Sequence, residues 1–208
     1  MKKVITVILA ALMLLSFAAC SSNQNNNSNN NASTNTNESK NDTPAKTEKS
    51  PAEIEEAIAK ALGDGYLCTV DVPEEELFSS AIGRLDLTKV KNYVAKQAAV
   101  AAVDLDSVVI AECEDGYADE AVNLLNESFA QTVDYIRQYP FGVAKVEGAR
   151  LYKVGNTVML IIAGASADEN TSAEDEAKLA AEEYAKIDEA IKSIFGTVPE
   201  NLAVIPKN

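Results

Sequence analysis

The 208-residue sequence predicts an α+β domain in which long amphipathic helices cover one face of a mostly antiparallel sheet. Three observations carry that expectation. Residues 117–139 and 171–195 repeat apolar side chains at steps of three and four, the spacing of a single helix face. The runs "SVVIAEC" at 107–113 and "NTVMLIIA" at 156–163 are short, β-branched and bounded by turn residues, as strands are. Between "ARLYKV" and "TVMLIIAG" stand Gly155 and Asn156, a two-residue turn signal that joins neighbouring strands antiparallel.

The first element is set by "SPAEIEEAIAKALGDG". Ser50 and Glu53 form an S-x-x-E capping box, Pro51 occupies the first helical position, and Gly63 ends the helix. Ile54, Ile58, Ala61 and Leu62 line its apolar face. The acidic start at Glu53, Glu55 and Glu56 suits the positive end of the helix dipole. After the "DG" turn, "YLCTVDV" at 66–72 reads as a short strand, and "PEEELFSSAIGRL" at 73–85 as a helical turn or short helix. Residues 87–103, "LTKVKNYVAKQAAVAAV", fit strand or helix equally, because alanine dilutes both periods. The strand at 107–113 closes on "EDG".

The helix that follows carries Ala118, Val122, Leu125, Phe129, Val133 and Ile136 on one face and ends near Tyr139, ahead of Pro140. In the hairpin's second strand Val158, Leu160 and Ile162 alternate with Met159 and Ile161, so both faces are apolar and the strand belongs inside the sheet. For the last helix, Thr171 and Glu174 match a capping box. Ala177, Ala181, Tyr184, Ile187, Ile191 and Ile194 make its stripe, and Gly196 and Pro199 stop it.

Ahead of this domain, assigned to residues 51–208, lie two unlike segments. Residues 1–19 begin with Lys2 and Lys3, continue through an apolar run from Val4 to Leu15 and end on Ala18 and Ala19. That is the pattern of a secretory signal peptide, and the run is shorter than the ~20 apolar residues of a spanning helix. Residues 20–50 open with Cys20 and continue as an Asn- and Ser-rich tract without aromatic or branched aliphatic side chains. Such a composition cannot offset chain entropy by burial, so a disordered tether is expected.

Residues 1–50 hold three acidic and five basic residues of the chain's 32 and 18, leaving 29 against 13 on the domain, a formal charge of −16. A domain so acidic is repelled by nucleic acid and by anionic bilayers, and neither is expected as a direct partner. There is no histidine anywhere. This removes Ser-His-Asp and Cys-His nucleophile arrangements and the commonest zinc ligand. Cys68 and Cys113 are 45 positions apart rather than in a C-x-x-C pair, and free thiols are expected for both. The acidic clusters at 73–76, 112–120 and 167–176 lack the alternate oxygen spacing of a calcium loop and read as solvated helix starts. No catalytic residue, cofactor or metal is expected. Without tryptophan, a carboxylate-dependent cell-envelope hydrolase is the alternative rather than the leading reading.

The stretch Ser16, Phe17, Ala18, Ala19, Cys20 resembles the lipobox of bacterial lipoproteins, departing from it at Phe17, where Leu is usual. The resemblance implies that the Cys20 thiol receives a diacylglyceryl group, that the signal is cut before it, and that the domain is held at the extracytoplasmic face of the cell membrane. Two acyl chains suffice for stable anchoring where one does not. Four further features, "DLTKVKNYV", the "SVVIAEC" strand, the long helix after "EDG" with Tyr-Pro near its end, and "GNTVMLIIA", resemble a family of bacterial lipoproteins known as domain of unknown function 4358. They span roughly residues 75–165 and imply a lipoprotein with no assigned activity and no catalytic residues to carry over. The expected function is a non-catalytic binding or interaction domain on a lipid anchor, its partner an envelope protein or a small ligand.

Overall fold

Ser50 starts the first helix as its side chain dictates. Its hydroxyl accepts the Glu53 amide at 3.3 Å, and the Glu53 carboxylate accepts the Ser50 amide at 3.0 Å. The structure, a computed structural model, describes residues 49–79, 83–100 and 104–207. The expected signal peptide, Cys20 and the Asn/Ser-rich tether as far as residue 48 lie outside the described residues, and Ser50, the last residue assigned to the tether, is the cap of the first helix.

From Ser50 the elements run α1 (Pro51–Leu62), β1 (Cys68–Asp71), α2 (Glu74–Ser79), β2 (Val90–Ala98), β3 (Ser107–Cys113), α3 (Ala118–Ile136), α4 (Val143–Glu147), β4 (Arg150–Val154), β5 (Thr157–Ile162) and α5 (Ala173–Phe195). The five strands form one sheet in the order β1-β2-β3-β5-β4, with every neighbouring pair antiparallel. The ambiguous segment at 87–103 resolves as β2, whose register with β3 runs from Val90 opposite Cys113 to Gln97 opposite Ser107. Ladder bonding decides what local periodicity left open, since β3 needs a partner on each side to satisfy its backbone. At the β4–β5 hairpin Gly155 takes φ 59°, the left-handed backbone its turn requires.

The α+β class and the antiparallel sheet agree with the sequence, but the helices do not share one face. Val109 and Ala111 of β3 and Val158, Leu160 and Ile162 of β5 pack with Leu125, Phe129 and Val133 of α3. The alternate residues, Val108, Ile110, Met159 and Ile161, face Ile54 and Ile58 of α1 and Tyr184, Ile187 and Ile191 of α5 on the opposite side. Strands apolar at successive positions must be covered twice, so α3 takes one face and α1 with α5 the other. Cys68 lies in the α1–α5 layer and Cys113 in the α3 layer, and both are free, buried thiols. Burial pushes Cys113 up to about 11 and raises Cys68 as well.

The last helix starts one residue later than its sequence suggests. Ser172, not Thr171, is the N-cap, accepting the Asp175 amide at 3.1 Å, because the Thr171 hydroxyl is engaged with Asp168 in the preceding loop. The buried side of its first half is also shifted: Glu176, Ala180 and Glu183 are buried, whereas Ala177 and Ala181 are exposed. Both glutamates are drawn inward by loop amides, Glu176 accepting from Ala144 at 2.8 Å and Glu183 from Ala165 at 3.2 Å. The regular part of α3 ends at Ile136, three residues before Tyr139.

Beyond α5 the chain returns along β4, an edge strand. The Leu202 amide donates to the Leu151 carbonyl at 2.8 Å, and the Asn201 side chain bridges the Leu151 amide and the Ala149 carbonyl. Asn126 of α3 clasps the same segment through the Leu202 carbonyl and the Val204 amide. The terminal segment thus covers backbone that an open edge would expose.

Candidate functional site

The α3 layer does not close completely. Toward its C-terminal end α3 presents Ser128, Gln131 and Thr132 beside Phe129 and Val133. The Ser128 and Thr132 hydroxyls bond back to helix carbonyls at Leu124 and Ser128, at 3.2 and 3.3 Å. Beside Gln131 and Thr132 a crevice of about 370 Å³ stays open against the sheet, where longer apolar side chains would have packed. Gln97 of β2, Ser107 of β3 and Leu160 and Ile162 of β5 form its sheet side. Gln131, Thr132 and Tyr135 form its helix side, and Asp104, Leu105 and Asp106 close one end. Its volume lies in the range of small-molecule sites.

The acidic end is part of a buried polar cluster. Asp106 is 1% exposed and Lys145, from α4, 6%. The Lys145 ammonium donates to Asp104 Oδ1 at 2.8 Å, to Ser166 Oγ at 2.6 Å and to the Gly164 carbonyl at 3.4 Å, and pairs with Asp106 Oδ1. Ser166 Oγ donates in turn to Asp104 Oδ2 at 2.9 Å, and the Gly164 amide to Asp106 Oδ2 at 3.3 Å. Three elements must converge to build this. α4 is held by Glu176 at the Ala144 amide and by Tyr184, whose hydroxyl donates to the Lys145 carbonyl at 2.8 Å. The loop after β5 comes close to α5 at Gly164, where an added Cβ would stand 2.7 Å from Glu183 Cβ and where φ is 134°.

The two carboxyl groups are driven apart in proton affinity. Burial first, and then the hydrogen bond with Asp104, push Asp106 up to about 8. Burial acts upward on Asp104 as well, but its hydrogen bonds with Asp106, Lys145 and Ser166 and the Lys145 charge prevail, leaving it below the usual carboxylate range. Chemically the cluster offers acceptors and a held proton. Ser166 stands beside an amine, yet Lys145 donates to it and to two carboxylates, so it presents no lone pair to take up the hydroxyl proton.

The acidic residues conspicuous in the sequence lie elsewhere. Glu74, Glu75 and Glu76 are exposed in the first turn of α2. From the 112–120 cluster, Asp115 accepts from Asn156, Asp119 pairs with Lys153 and Glu120 with Lys89, all at the surface. Glu174 and Asp175 are exposed at the start of α5, whereas Glu176 turns inward to α4. Asp104, Asp106 and Lys145 were not singled out from the sequence. The D-x-D step directly ahead of the apolar run Val108–Ala111 was the available signal for the first two, and Lys145, inside "FGVAKVEG", carried none. Among the described residues no helix is long and apolar enough to cross a membrane. In comparisons with known proteins the chain matches no family model, no curated protein and no solved structure.

Proposed function

We propose that this chain is a bacterial lipoprotein, anchored through Cys20 at the extracytoplasmic face of the cell membrane, whose domain binds a small ligand without transforming it. The crevice between α3 and the sheet carries the binding part of this reading, being concave, mostly apolar in lining and supplied with a few polar groups at one end. The anchor rests on the Ser16–Cys20 pattern, and the resemblance to domain of unknown function 4358 belongs to the same proposal.

The alternative, a carboxylate-dependent envelope hydrolase, is favoured by one observation, the divergence of Asp104 and Asp106 in proton affinity, as acid–base pairs require. Binding is favoured over it because the Asp106 side chain has no exposed surface and both Asp104 oxygens are engaged. A reacting atom would find neither carboxylate free.

The test is to isolate the full chain with its anchor from the membranes of its own cells and to compare its solvent extract with that of Thr132→Trp, which fills the crevice. A compound enriched with the native protein and missing from the folded variant is the expected result. Matching extracts would sink the reading.

A further inference from the structure

We propose that the ligand of the crevice is a small organic cation, its apolar body seated against Leu105, Leu160 and Ile162 and its ammonium head between the Asp104–Asp106 end and the Tyr135 ring. This rests on the crevice being the binding site.

Charge is the first support. Among the described residues the crevice is lined by two aspartates and no lysine or arginine; Asp104 keeps part of its side-chain surface open, whereas the Asp106 carboxyl, fully covered, acts on the crevice only through its charge. Lys145, the cation of the buried cluster, lines a second and much smaller space of about 50 Å³, which shares Asp104 and Leu105 with the crevice as a partition. An anionic head group would therefore meet acceptors and no donor cation, inside a domain whose formal charge is −16. A neutral ligand would gain nothing from that arrangement. A cation would gain from both the local carboxylates and the surrounding field.

The aromatic rim is the second. Tyr135 lines the crevice yet remains 41% exposed, and its ring is held by Tyr139, with centroids 5.2 Å apart and the Tyr139 hydroxyl donating to the Tyr135 hydroxyl at 2.9 Å. A fixed tyrosine face beside carboxylates suits an ammonium, which the ring quadrupole attracts.

A pH dependence follows from the buried cluster. One lysine faces two carboxylates, so the cluster is neutral while Asp106 holds its proton and gains a negative charge when it releases it. Asp104 ahead of β3 and Lys145 of α4 act on Asp106, whose charge in turn raises the titratable groups around it, Tyr184 of α5, Cys68 of β1 and Tyr66 just before it. A bound cation favours the ionised form, so its binding releases a proton and strengthens as the pH passes about 8.

Three probes with one body separate the possibilities: 4-phenylbutyl-trimethylammonium, 4-phenylbutan-1-ol and 4-phenylbutanoate, titrated calorimetrically into the full chain. The expected result is a Kd for the ammonium roughly tenfold below that of the alcohol at pH 8, as one added charge pair at close range provides. The ammonium should bind several-fold tighter at pH 9 than at pH 6, with the alcohol unchanged. Gln131→Lys, at an exposed position in the wall of the crevice, should weaken the ammonium roughly tenfold more than it weakens the alcohol. An alcohol or a butanoate that binds as tightly as the ammonium overturns the cation inference while the crevice reading stands. An ammonium affinity indifferent to Gln131→Lys places the cation elsewhere on the acidic surface and also overturns it. If none of the three binds, the crevice reading itself falls.

Discussion

Asp106→Asn should flatten a fall in stability that the native domain undergoes between mildly acidic and mildly alkaline pH. Burial, and next the hydrogen bond with Asp104, raise the Asp106 carboxyl from an ordinary 3.8 to about 8 in the folded protein. Between those values the folded state keeps a proton that the unfolded chain has already lost. The stability contributed by this group is therefore complete below its unfolded value and disappears as the pH rises through about 8. At about 1.4 kcal/mol per pH unit, the gap between variant and native protein should widen by about 4 kcal/mol from pH 5 to pH 8. Asparagine preserves the shape and removes the titration. If its amide cannot accept from Gly164, that weak hydrogen bond is lost at a cost of about 1 kcal/mol at every pH. Asp104, lowered by its partners, contributes stability lost only as the pH falls through its folded value, which lies outside this window. Urea unfolding followed by circular dichroism at half-unit pH steps would measure the gap. Parallel stability curves for the two proteins would refute the reasoning, because the buried carboxyl would then not be titrating on unfolding.

Other perturbations test separate links. Phe129→Ala empties a fully buried site between α3 and the sheet and should cost about 3–5 kcal/mol in the same urea assay; a loss below about 1 kcal/mol would mean the layer collapses to fill the space. Cys68 and Cys113, on opposite sides of the sheet, should both take an alkylating label in unfolded, unreduced protein, and a peptide crosslinking them would contradict the structure. Cys20→Ala should abolish incorporation of labelled palmitate and either release the domain or leave the signal uncut; unchanged membrane partitioning would remove the anchor. A fragment beginning at Ser50 should unfold cooperatively with the stability of the longer chain, and an unfolded fragment would show the boundary to be misplaced.

Much of the fold was legible because its signals are local. The Ser50–Glu53 box, the Gly155 turn and the α3 stripe from Ala118 to Ile136 each act within a few residues, where side-chain spacing alone decides the conformation. The site was barely legible. Asp104 and Asp106 look like a turn before a strand, and α4, only five residues long, is too short to show a period that would mark Lys145 as facing inward. Ser128 and Thr132 were equally silent, since a polar residue in an apolar helix face has no meaning until the opposing layer is in place.

Local side-chain pattern was enough to place α1 with its Ser50–Glu53 box, α3, the β4–β5 turn, a β5 apolar on both sides and the strong acidity of the domain, but not the cap of α5 or the strand within 87–103. Long-range packing set the order β1-β2-β3-β5-β4, the division of the helices between two faces, the inward turn of Glu176 and Glu183, and the meeting of Asp104, Asp106, Lys145 and Ser166 beside an open crevice. The reason is one of range. Propensity and periodicity are properties of a few neighbouring residues, whereas the pairing of β3 with β5 and the meeting of Asp104 with Lys145 are chosen by contacts across 40 residues or more. The entropy of closing such a loop varies too slowly with length for spacing in the chain to single out one partner.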